Sequence, residues 1–255
     1  MPYTYEELAG MIDHSLLHPT MTDQEMEEGC RLAARYRVAS VCIKPYAVKR
    51  ACELLHGTPV RVGTVVGFPH GGSATEVKIY ETEVACRDGA TEIDMVINIG
   101  KALSGDWEYV EQDILAVTEA AHGHGAIVKV IFENDFLTDD TLKVRLCQIC
   151  AHVNADFVKT STGYGFVKGA DGKYSYRGAT EDDLRLMRAN CPPQVQIKAA
   201  GGIRDLDALI RARQLGVSRV GATATAAMLD EYRRRAASAT AEPQPTAILS
   251  SPEGY

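Results

Sequence analysis

Phe157-Val158-Lys159-Thr160-Ser161-Thr162-Gly163 is a short apolar run with a lysine on the wrong side. Side chains alternate along a strand, so Phe157, Lys159 and Ser161 share one face while Val158 and Thr160 share the other. A strand enclosed in an α/β fold reads as nearly continuous Val, Ile and Leu. An ammonium buried there without a partner costs several kcal/mol or gives up its proton. The same anomaly recurs at Val195-Gln196-Ile197-Lys198-Ala199-Ala200-Gly201-Gly202, and with opposite sign at Glu92-Ile93-Asp94-Met95-Val96-Ile97. Three strand-like segments therefore carry one misplaced charge each: Lys159, Lys198 and Asp94.

Outward from these segments, extended and helical patterns alternate. Residues 12–17, 40–44, 60–68, 92–97, 127–132, 156–161, 194–199 and 219–222 read as strands. Residues 3–11 read as a leading helix, and Thr22 with Glu25 forms a capping box that opens the next one. Thr138 is the expected cap of the helix that ends near residue 152. Regular βα alternation implies parallel strands with right-handed crossovers. Eight units predict a closed (β/α)8 TIM barrel over residues 1–235. No glycine fingerprint follows the first strand to support a dinucleotide fold. From Ala236 the Ala, Ser, Thr and Pro content predicts a flexible, loosely ordered tail through Tyr255.

Composition narrows the function. At 255 residues, 45% of them apolar, the chain can fill one barrel core. A net charge of −7 argues against nucleic acid as a bulk partner. No apolar run approaches the roughly 20 residues a membrane span needs. Seven cysteines scattered through apolar runs suit a reduced, cytoplasmic setting. Cys147 and Cys150 have redox-motif spacing, but on a helical stretch they read as packed thiols.

In a barrel the active site lies at the C-terminal strand ends, and Asp94, Lys159 and Lys198 sit in or near the second halves of their strands. A free lysine is only about 0.04% neutral at pH 7, so a nucleophilic one needs its pKa lowered by about three units. A second ammonium about 4 Å away supplies on the order of 4 kcal/mol at an effective dielectric of 20. That is enough to make one of two inward lysines a Schiff-base nucleophile, with Asp94 moving protons through a water. The competing account is a structural ion-pair network, which would avoid an excess of positive charge. Lys44 and Lys129 are further strand lysines, and Lys129 lies four residues before Glu133 as a paired or supporting group. Thr162-Gly163, Gly201-Gly202 and Gly221-Ala222-Thr223 follow the last three strands, where backbone N–H groups cradle anions. Tight turns alone would account for the same glycines.

The stretches IDHSLLHPT (12–20), VVGFPHG (65–71), TEIDMVINIG (91–100), FVKTSTG (157–163) and IKAAGGIR (197–204) resemble the deoxyribose-phosphate aldolase family of class I, Schiff-base lyases. The resemblance implies Lys159 as the Schiff-base lysine, Lys198 as the group that lowers its pKa, and Asp94 as the proton relay. It implies that Asp13 lines the site and meets substrate hydroxyls or the relay water. The implied reaction is reversible cleavage of 2-deoxy-D-ribose 5-phosphate to acetaldehyde and D-glyceraldehyde 3-phosphate. The implied partners are that phosphosugar and the aldehydes, with no metal or organic cofactor; barrels of this kind often pair through outer helices, which makes a homodimer one possible assembly.

Three features depart from the family pattern. Gly221-Ala222-Thr223-Ala224 stands where serines are usual, leaving backbone donors and the Thr223 hydroxyl for the phosphate. Residues 164–178 form a longer excursion, whose Lys168, Lys173 and Arg177 either contact phosphate or face solvent. Phe132-Glu133-Asn134-Asp135 replaces the usual Glu-Thr ending. Tyr255 is a candidate to fold back onto the site. Competing readings are an aldolase for unphosphorylated aldehydes and a silent barrel that binds an effector. A metal-dependent aldolase is weaker, because His122-Gly123-His124 reads as a surface helix end.

Overall fold

The computed structural model describes residues 2–240. Strands β1 (Ile12–Leu16), β2 (Ser40–Ile43), β3 (Arg61–Val66), β4 (Glu92–Val96), β5 (Ile127–Ile131) and β6 (Phe157–Lys159) are followed by a two-stranded hairpin, β7 (Val167–Lys168) and β8 (Tyr174–Ser175). Strands β9 (Gln196–Ala200) and β10 (Arg219–Ala222) complete the set. Eight of these close into a parallel barrel in the order β1-β10-β9-β6-β5-β4-β3-β2, which is the expected (β/α)8 architecture. The hairpin stands apart as an antiparallel pair. The expected long excursion thus acquires its own structure, held by Val167 opposite Ser175 and Lys168 opposite Tyr174.

Helices α1 (Tyr5–Ala9), α2 (Asp23–Tyr36), α3 (Val48–Leu55), α4 (Thr75–Arg87), α5 (Ile99–Leu103) and α6 (Trp107–Gly123) cover the first half. The second half carries α7 (Asp140–His152), α8 (Glu181–Asn190), α9 (Leu206–Gln214) and α10 (Thr225–Thr240). Thr22 and Glu25 close the expected capping box on α2, and Thr4 with Glu7 does the same for α1. The cap of α7 is Asp139 and not Thr138: its carboxylate takes the N–H of Thr141 at 2.8 Å, satisfying an orphan donor of the first turn. The short α5, unforeseen in the sequence, is capped by Asn98. Helix α10 runs past residue 235 because Arg233-Arg234-Arg235-Ala236-Ala237 consists of strong helix formers. Residues 241–255, with Tyr255, lie outside the described residues.

The alternation of each strand sorts its residues between two environments. Ile93, Met95, Val128, Val130, Val158, Ile197 and Val220 join the apolar core with the helices. Their neighbours Glu92, Asp94, Lys129, Lys159, Lys198 and Arg219 are equally buried but meet one another inside the barrel. Outside, Lys78 of α4 and Asp113 of α6 form a buried pair at 2.5 Å, with the ammonium also donating to the Val96 carbonyl. That contact fixes α4 and α6 to the end of β4. Cys147 and Cys150 are packed thiols on α7, as expected. His122 closes α6 at the surface against Asp156, 2.8 Å away.

Candidate active site

Register brings the misplaced charges together. Lys159 of β6 lies opposite Lys198 of β9, and Asp94 of β4 lies opposite Lys129 of β5. Because paired residues in neighbouring parallel strands point to the same face, all four side chains enter the barrel. Asp94 Oδ2 accepts from Lys159 Nζ at 2.6 Å and from Lys198 Nζ at 2.7 Å. Its other oxygen accepts from Lys129 at 2.8 Å. Lys198 also stands 2.6 Å from Asp13 Oδ2. Below them Arg219 donates to Asp13 Oδ1 and to Glu92, while Glu92 takes Lys129 at 2.7 Å.

This layer holds three carboxylates (Asp13, Glu92, Asp94) against four cations (Lys129, Lys159, Lys198, Arg219). Burial makes the excess charge expensive, so the cheapest proton to lose comes from the cation with the least carboxylate contact. Lys129 pairs with Glu92 and Asp94, Lys198 with Asp13 and Asp94, and Arg219 with Asp13 and Glu92. Lys159 has Asp94 alone. Its pKa is lowered: burial acts first and Lys198 adds to it, and together they outweigh Asp94. Burial also disfavours charge on Lys198, yet Asp13 and Asp94 override it and raise the pKa. Asp94 is held well below the carboxylate range, because the three lysines overcome its burial. The repulsion from Lys198 anticipated in the sequence is present, but burial is the larger influence on Lys159.

Above the charged layer opens a cavity of about 560 Å3, lined by Lys159, Lys198, Asp13 and the turns bearing Thr162, Gly163, Gly201, Gly202, Gly221 and Thr223. The candidate site residues therefore converge, with Asp94 fully buried beneath the two lysines. The partners of Thr162 and Lys129 are specific. The Thr162 N–H donates to Glu133 Oε1 at 3.2 Å and its hydroxyl donates to Oε2, so its donors are committed to protein. Lys129 is a paired, supporting group, as expected, with Glu92 and Asp94 as its partners in place of Glu133 because register sends it inward. Lys168, Lys173 and Arg177 are exposed and lie outside the cavity lining.

Sequence reasoning missed Glu92, Arg219, Glu133, Cys42 and Tyr176. Glu92 is detectable as one alternation before Asp94 on the same face. Glu133 sits in the left-handed region at φ 59, an uncommon conformation for a non-glycine residue, directly after β5. Cys42 lines the cavity 3.9 Å from Asp94 Oδ2, and burial pushes its thiol up to about 11.

A model of the DeoC/LacD family of aldolases matches residues 8–230. The chain belongs to the DeoC/LacD aldolase family. Within it the chain is 51% identical to a deoxyribose-phosphate aldolase of Rhodopirellula baltica, over 91% of this chain and 92% of that one. It is 46% identical to the deoxyribose-phosphate aldolase of Bacillus mycoides, over 87% and 94%. The tetrameric deoxyribose phosphate aldolase of Aeropyrum pernix superposes with a TM-score of 0.80 at 28% identity, covering 90% of this chain and 92% of that one. The family span begins in α1 and ends in α10, so it takes in every strand of the aldolase barrel. Among the described residues of this aldolase, no helix is long and apolar enough to cross a membrane.

Proposed function

We propose that the chain catalyses reversible cleavage of 2-deoxy-D-ribose 5-phosphate to acetaldehyde and D-glyceraldehyde 3-phosphate through a Schiff base on Lys159. The observation that carries this is the lowered pKa of Lys159, a buried amine with one carboxylate, at the floor of an open cavity. The neutral amine attacks the substrate aldehyde carbon and the resulting carbinolamine loses water to give an iminium ion. Loss of the C3 hydroxyl proton then lets the C2–C3 bond break, its electron pair moving into the iminium to leave an enamine. Protonation of the enamine carbon and hydrolysis release acetaldehyde and restore the amine. Asp94 stands within hydrogen-bond reach of the Lys159 nitrogen and the charged Lys198 donates to the same Asp94 oxygen, so they are the groups to move these protons, directly or through one water.

The phosphate end is assigned to the turns of Gly163, Gly201, Gly202 and Gly221. Thr223 joins them, two residues before the start of α10, where a helix N-terminus favours an anion. Arg204 adds a cation at the exposed rim. A preference for unphosphorylated aldehydes is the second reading, favoured by the commitment of Thr162 to Glu133. Rates on 2-deoxyribose and on its 5-phosphate separate the two. The reading includes a cytoplasmic homodimer, in keeping with the oligomeric Aeropyrum relative; a monomer in sedimentation velocity would remove that part.

Borohydride reduction in the presence of acetaldehyde tests the mechanism. Peptide mapping is expected to place an ethyl group on Lys159. No label, or label on another lysine, would refute it.

A further inference from the structure

The hairpin excursion takes no part in this chemistry, yet it reaches the cavity. Phe166 and Tyr176 both line the cavity, with ring centroids 5.4 Å apart. Asp135 grips the return limb, accepting the N–H of Arg177 at 2.7 Å and of Gly178 at 2.9 Å. One residue on, the Ala179 N–H donates to the Gly201 carbonyl at 3.1 Å. The limb is thereby pressed against the Gly201-Gly202 turn. A Cβ on Gly178 would come within 2.8 Å of the Gly201 carbonyl, and a Cβ on Gly201 within 2.0 Å of the Tyr176 hydroxyl. Gly201, at φ +92, is the residue that admits that hydroxyl.

The Tyr176 hydroxyl is buried at the edge of the cavity. The Ser161 hydroxyl and the Gly163 N–H are its polar neighbours, and both act against the effect of its burial. Burial raises its pKa, so it stays a protonated, neutral wedge. Phenylalanine would fill most of the same space but would lack the oxygen that stands between the Gly163 and Gly201 turns.

We propose that Tyr176 is a positioning residue for phosphate selectivity. Wedged between the Gly163 and Gly201 turns, its oxygen holds them at the separation a substrate phosphate bridges. The effect runs through backbone, and it ties the longer excursion to Asp135, the residue that anchors it. The inference rests on the aldolase reading above and refines which substrates that site prefers.

The test is Tyr176→Phe, assayed on 2-deoxyribose 5-phosphate and on free 2-deoxyribose, with thermal unfolding and borohydride trapping alongside. The variant is expected to unfold within a few degrees of the wild type, because the ring and its packing against Phe166 are kept. KM for the phosphorylated substrate should rise about tenfold while kcat moves far less. The preference in kcat/KM for phosphate over free sugar should therefore fall about tenfold, the size of one ordinary hydrogen bond. An unchanged preference overturns the inference, as does a lower unfolding temperature with equal losses on both substrates. A wild-type chain that traps acetaldehyde but shows no phosphate preference overturns it while leaving the aldolase standing. Failure of the wild type to trap acetaldehyde removes the aldolase reading and this inference together.

Discussion

Lys159 and Lys198 face each other across adjacent parallel strands and donate to one oxygen, Oδ2 of Asp94, at 2.6 and 2.7 Å. Sharing an acceptor places two amino groups at close quarters, both almost fully buried at the floor of the cavity. What separates them is Asp13, which supports Lys198 and not Lys159. The same strand register that makes the lysines equivalent in sequence makes them unequal in charge state, because only β9 has β10 and β1 beyond it to supply that acid.

Replacing Lys198 by Met is expected to move the proton onto Lys159. Three carboxylates would then face three cations, and Lys159 would be kept charged to balance them. Each unit of upward pKa shift removes tenfold of the neutral amine below that pKa. A shift of about two units therefore predicts roughly a hundredfold loss of kcat/KM at pH 7, recovered in part at alkaline pH. A pH–rate profile of unchanged shape, merely scaled down, would count against the charge balance.

Glu92→Gln should act in the opposite direction. Glu92 touches neither Lys159 nor the cavity, and it holds Lys129 and Arg219. Removing its charge leaves four cations with two carboxylates, which favours proton loss from the least supported lysine. The acid limb of the pH–rate profile is expected to move down by about one unit, at a stability cost of about 3 kcal/mol for the weakened pairs. A limb that stays in place while stability falls would show that Lys159 responds only to its direct contacts.

These residues also mark how far the sequence could be read. Lys159, Lys198 and Asp94 are conspicuous because a charge in mid-strand, flanked by Val and Ile, has no bland explanation. Glu92 shares the face of Asp94, but it and Arg219 open their strands, where a charge ordinarily faces solvent, so their depth shows only once the barrel closes over them. Lys129 is the paired, supporting group its strand position suggests, but its partner is not legible, because a spacing of four residues has meaning on a helix whereas β5 delivers it to its cross-strand neighbour Asp94. Depth is likewise absent from a sequence, and depth is why burial exceeds repulsion at Lys159. The strands of the hairpin are two residues each, too short to show alternation, and their anchor Asp135 lies 42 residues from Arg177.

The last prediction concerns stability, and it isolates one side chain on the outer face of β1. His14 is buried and its Nδ1 lies 2.9 Å from the Thr225 hydroxyl at the start of α10. Burial lowers its pKa to about 4 from an ordinary 6.5. Between those values the unfolded chain binds a proton that the folded chain refuses, so stability falls as pH drops through the window from about 6.5 to about 4. Above it both states are neutral and the effect vanishes. A displacement of this size corresponds to about 3 kcal/mol by pH 4. Glu133, whose pKa burial raises, titrates with the opposite sign in a neighbouring range. The comparison is therefore between the wild type and His14→Asn, in which the Glu133 contribution cancels. Urea unfolding at pH 7 should show the variant less stable, because the contact with Thr225 is altered. At pH 4.5 the gap should close or reverse. A gap of constant size at both pH values would mean that His14 carries the same charge folded and unfolded, contrary to its enclosure against α10.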